Sequence, residues 1–151
     1  RVLGAQLFVL DRVAPALFTA DASGGGAPAA NVIRVRDGVQ MRAPVSAGPI
    51  VLDPAEEIFL ELYGTGIRGT ERMTGKLWHP DYWVKSAVDA EVVYFGAHPG
   101  YLGLDQVNVK LPVAALRERG IRGRFTLQLE MPGREGAMVR TNPVTLEIGF
   151  D

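Results

Sequence analysis

Apolar side chains fall at every second position along much of this chain. In the run from Ile58 to Tyr63, the residues Ile58, Leu60 and Leu62 share one face of an extended strand. Val107, Val109 and Leu111 alternate with Asn108 and Lys110. Phe125, Leu127, Leu129 and Met131 alternate with Thr126, Gln128 and Glu130, and Val144, Leu146 and Ile148 with Thr145 and Glu147. Successive side chains of a strand point to opposite faces, so each segment offers a core one apolar surface and water one polar surface. Sheets wetted on one side give this alternation, whereas doubly covered parallel strands read as continuous apolar runs. The pattern predicts an all-β, antiparallel domain.

Turn residues punctuate the strands. Asp37-Gly38 lies between Val32–Val35 and Val39–Arg42, where a two-residue hairpin needs positive φ. Gly64-Thr65-Gly66 closes the central strand, and residues 132–136 link two late ones. Gln6, Leu7, Phe8, Val9 and Leu10 form an apolar, strand-like N-terminal segment. Ala14–Phe18 follows as a short extended piece that Pro15 restricts to an edge or a bulge. Residues 22–28 read as a flexible loop, too short to divide the chain into domains. Helix is predicted once, near 112–119, where Pro112 opens and Gly120 closes a short apolar run, with at most a single turn at 53–56. Eight or so short strands joined by Gly and Pro turns favour a β-sandwich over a barrel.

Composition bounds the function. The chain has 151 residues, with 47% hydrophobic and 22% charged, the make-up of one globular domain covering 1–151. Its 16 Lys+Arg balance 17 Asp+Glu, which argues against a nucleic-acid partner. No apolar run approaches the roughly 20 residues of a membrane-spanning helix. With zero cysteines there is no disulfide framework and no thiolate metal site. The first residue is Arg1 rather than Met, so a processed or trimmed product is expected.

Three blocks, in order, carry a resemblance. They are Ala14–Ala20 with Phe59–Arg68, then Ala90–Gly96, then Gly103–Pro112, completed by a final strand at 142–146. Together they resemble a carboxy-terminal domain family of acidobacterial secreted proteins. That resemblance implies an immunoglobulin-like β-sandwich carried on exported proteins, with no catalytic residues. Residues 70–86 depart from it as a longer, more aromatic connection, expected to be a loop insert.

Within that insert, Trp78, His79, Tyr82 and Trp83 are the candidate contact residues. Flat aromatic faces beside an imidazole can stack a sugar ring or anchor a protein partner, and the plainer reading is a loop capping one end of the sandwich. His79 and His98 are isolated from each other, and Asp11, Asp21, Asp53 and Asp81 are scattered, so neither a zinc nor a calcium site is expected. Ser23, Ser46 and Ser86 sit in no nucleophile motif, and Glu56-Glu57 point to opposite faces of a strand. The Gly-Thr-Gly at 64–66 lacks the helix start and Lys-Ser/Thr of a phosphate loop. Asp105, Gln106 and Asn108 are expected to satisfy neighbouring loop backbone, the alternative being that these polar residues form a binding edge.

These readings point to a non-enzymatic structural or interaction module, without cofactor or metal, that works outside the cell, at its surface or in the periplasm. Its expected partner is protein, including copies of itself joined by edge-strand pairing or by exchange of the 6–10 segment, as in a filament subunit. The alternative is a carbohydrate-binding module using Trp78, Tyr82 and Trp83. A hydrolase requires distant Asp, Glu and His side chains to converge.

Overall fold

The computed structural model describes residues 13–80 and 87–151. Strands dominate: β1 (Ala16–Leu17), β2 (Ala30–Arg36), β3 (Val39–Pro44), β4 (Ile50–Leu52), β5 (Glu57–Thr65), β6 (Thr74–Trp78), β7 (Val88–Ala97), β8 (Asp105–Lys110), β9 (Gly123–Pro132), β10 (Met138–Arg140) and β11 (Val144–Phe150). One helix, α1 (Val113–Glu118), stands where the Pro112 start and Gly120 stop place it, and 53–56 is a hydrogen-bonded turn. Their order across the sheet is β3-β2-β5-β8-β7-β6-β9-β11-β4, with β1 added to β5 and β10 to β9. The sheet curls because β7 divides its pairing: Val88–Ala90 face β6, and Glu91–Ala97 face β8 on its other side.

The alternation seen in the sequence sets the inward surface. Leu60, Leu62, Val107, Val109, Leu127, Leu129, Val144 and Leu146 are all fully buried in one core shared by both halves of the curled sheet. Asp37 (φ 50) and Gly38 (φ 78) make the β2–β3 turn, the mirror-image type whose twist suits a two-residue hairpin.

Two expectations are corrected. The sheet is mixed rather than purely antiparallel, because β4 lies parallel to β11, with Ile50 opposite Ile148. The chain reaches β4 by crossing from β3, at the far end of the sheet, and that crossover delivers it in the parallel sense. The 70–86 stretch is also not simply a loop insert. Thr74–Trp78 is an interior strand between β7 and β9, with Gly75 and Leu77 turned to the core. Its alternation spans only five residues and is crowded by aromatic neighbours, so it does not stand out in the sequence.

Candidate functional site

The aromatic cluster is only partly brought together. Trp78 ends β6, half-buried, opposite Thr126 of β9. His79 is 9% exposed, packs edge-on against the Phe125 ring at 5.2 Å, and its Nε2 lies 3.0 Å from the Arg122 carbonyl. This is a packing role. Tyr82 and Trp83 lie outside the described residues, as does the 6–10 segment.

Other sequence candidates resolve into structural duties. Glu56 pairs with Arg34 at 2.7 Å and Arg36 at 3.3 Å, while Glu57 pairs with Lys110. The Ser23 hydroxyl donates to Asp21 within its own turn, and this contact, with the Ser23 N–H and Thr19, holds the Asp21 carboxyl below its usual range. Asp53 accepts from the Ala55 N–H at 2.8 Å, the main reason its carboxyl also ionises more readily than usual. Among the described residues, no three His, Asp or Glu side chains gather as metal ligands. The Gly-Thr-Gly exists for β1: a Cβ at Gly64 would strike the Ala16 carbonyl, and one at Gly66 the Ala14 carbonyl. Asp105 behaves as expected, accepting from the Ile67 N–H at 2.9 Å and the Arg68 N–H at 3.3 Å while pairing with the Arg68 guanidinium. Gln106 and Asn108 do not reach loop backbone. The Gln106 amide donates to Asn108 Oδ1 at 2.9 Å on the same strand, because both project from the outer face while Asp105 turns inward.

Beyond Gln106 and Asn108, that outer face was not singled out by the sequence. Cross-strand register places Asn31, Glu61, Asn108 and Tyr94 in one row over β2, β5, β8 and β7. Tyr63, Gln106 and Gly96 form the row beside it. Glu61 is 5% exposed and is held by the Asn31 amide at 3.1 Å, the Arg42 guanidinium at 2.8 Å and the Tyr63 hydroxyl. Burial and this carboxylate push the Tyr63 phenol above its ordinary pKa. The Tyr63 ring lies 5.7 Å from His98, which lies 5.0 Å from Tyr101. His98 Nδ1 accepts from the Gly100 and Tyr101 N–H groups, which fixes the turn between β7 and β8.

Tyr94 has a specific posture. Its hydroxyl donates to the Ala97 carbonyl three residues along at 2.6 Å, and a Cβ at Gly96 would lie 3.3 Å from that hydroxyl. The ring therefore runs along the strand over Gly96 instead of standing away from the sheet, and it stays 40% exposed. A β-bulge makes this possible: register slips between Val92 and Tyr94, so Tyr94 joins Asn108 outside and Phe95 joins Val107 inside.

The sheet also has an open edge. All residues of β3 are exposed, and its sole described neighbour is β2. The opposite edge, β4, is three residues long, and the Arg117 guanidinium donates to its Leu52 carbonyl at 2.7 Å. Comparison with protein-family models, curated proteins and solved structures gave no match to this chain. No helix among the described residues is long and apolar enough to cross a membrane.

Proposed function

We propose that this chain is a non-catalytic structural and interaction module, active outside the cell or at its surface, whose copies join through the edge of β3. One observation carries the reading: an edge strand with one partner among the described residues, bearing apolar side chains in water. Val39 is 64% and Met41 56% exposed. Edge strands in water are normally blunted by charge, proline or cover, because their free N–H and C=O groups template another strand. The β4 edge is three residues long and its Leu52 carbonyl is taken by Arg117, whereas β3 holds Val39 and Met41 in water beside a single charge, Arg42, and meets a proline only at its last residue, Pro44.

The edge is self-complementary. A two-residue turn closes on the hydrogen-bonded pair Arg36–Val39, so Val39, Met41 and Ala43 direct their backbone groups to β2. Gln40 and Arg42 then direct theirs to the open side. Two copies pairing antiparallel about Met41 place Gln40 of each against Arg42 of the other, forming on the order of four backbone hydrogen bonds. Met41 meets its own copy and Val39 meets Ala43, which removes the exposed apolar row from water. A pairing centred on Arg42 would oppose like charges.

The resemblance to the acidobacterial carboxy-terminal domains supports the finer fold, an immunoglobulin-like sandwich, and the location outside the cytoplasm. The ion-paired state of Glu56 and Glu57 and the packing of His79 support the non-catalytic part.

Sedimentation velocity over a wide concentration range tests the edge. The expected result is a concentration-dependent dimer that Met41→Lys abolishes and that Gln40→Pro weakens by removing an outward N–H. A wild-type chain that stays monomeric throughout overturns the reading. So does a dimer lost on deleting residues 1–10 but untouched by Met41→Lys, which would move association to the N-terminal segment.

A further inference from the structure

We infer that the outer face of β5, β8 and β7 is a binding platform for a neutral, β-linked pyranose chain, with Tyr94 as its stacking ring. The inference is independent of the β3 edge and uses none of the aromatic residues near 78–83.

The chemistry of such a ligand is a flat ring edged with hydroxyl groups and faced with C–H. It needs a rigid aromatic surface lying parallel to the protein, with amide donors and acceptors alongside. Tyr94 supplies the first. Its hydroxyl is spent on the Ala97 carbonyl and its ring end rests over a residue without a side chain, so what it offers solvent is a ring face in one fixed orientation. A preorganised ring loses little conformational freedom on binding. Asn108, directly opposite Tyr94 on β8, supplies the second. Its Oδ1 is taken by the Gln106 amide, and no protein acceptor among the described residues takes the Asn108 amide hydrogens, nor any donor the Gln106 Oε1. One donor group and one acceptor thus stand side by side next to the ring, the pairing that two vicinal hydroxyl groups satisfy.

Charge selects a neutral chain. The described cations of this face are already matched, Arg42 with Glu61 at 2.8 Å and Lys110 with Glu57, so a sulfated or uronic polysaccharide finds no free cation there among the described residues. Tyr101 extends the aromatic surface beyond His98 and is 68% exposed, which gives a longer chain a second ring to lie on.

Native electrophoresis in gels containing hydroxyethyl cellulose, xylan or galactomannan provides the test, with cellohexaose titrated by NMR for the site. Retardation is expected in at least one gel. Tyr94→Ala should abolish it, and Asn108→Ala should weaken binding about tenfold, one lost hydrogen bond of roughly 1.4 kcal/mol. Tyr94→Phe keeps the ring and should retain binding to within about threefold; unchanged melting temperatures separate loss of binding from loss of fold. Met41→Lys should bind like the parent chain. No retardation in any gel together with no cellohexaose-induced shifts overturns the inference. Retardation that survives Tyr94→Ala and disappears in Trp78→Ala plus Trp83→Ala overturns it too, placing the sugar on the other aromatic cluster. A Tyr94-dependent protein contact without any polysaccharide response does the same.

Discussion

Asp105 is 2% exposed and still carries its charge. Burial opposes its ionisation, but the Ile67 N–H, the Arg68 guanidinium and the Arg68 N–H together outweigh burial and hold its carboxyl below the ordinary value. A group that is more acidic folded than unfolded stabilises the fold above the unfolded pKa of about 4, and that contribution fades as pH falls through the folded value. Thermal melts should therefore show an acid limb below about pH 4 that is shallower in Asp105→Ala. At neutral pH that variant should lose about 2 kcal/mol, chiefly from the stranded Ile67 N–H. The duty of Asp105 was legible in the sequence because an acidic residue between a glycine turn and an apolar strand commonly ties down a loop. Asn142 was not legible. Its amide bonds both the N–H and the carbonyl of Leu17, at 2.7 and 3.0 Å, from 125 positions away, a partnership that only folding creates.

Strand β7 shows where alternation stops being readable. The run Ala90 to Gly96 holds Val92, Val93, Tyr94 and Phe95 in succession, and either tyrosine or phenylalanine satisfies an inward position. The extra residue at the bulge settles the matter by turning Tyr94 out and Phe95 in. Deleting Val93 removes the extra residue and should leave Tyr94 opposite Asn108 and Phe95 opposite Val107 in continuous register. The expected change is within about 1 kcal/mol in chemical denaturation, with polysaccharide retardation kept. By contrast, β5, β8, β9 and β11 were plain in the sequence, since each has one clean apolar face and no bulge. The five-residue β6 and the three-residue β4 were too short to carry a period of their own.

Across the molecule, one core joins the half of the sheet built on β5 and β8 to the half built on β9 and β11. Cavities on either side should weaken both. Hydrogen exchange should give the amides of Leu60 and Leu127 the same opening free energy, and Leu127→Ala should lower both equally, by about 3 kcal/mol. The outward-facing amides of β3, with no strand beyond them among the described residues, should exchange far faster in the monomer. The sequence alone determined the mainly β class, the identity of the buried face on β5, β8, β9 and β11, the β2–β3 hairpin and the position of the helix. All of these follow from periodicity and turn chemistry, which are local properties of the chain. Tertiary structure alone decided the strand order, the parallel entry of β4, the open edge at β3 and the row that sets Asn31, Glu61, Asn108 and Tyr94 side by side. Those depend on which distant segments pair and in what register, and a pattern that repeats every two residues is the same for every even shift.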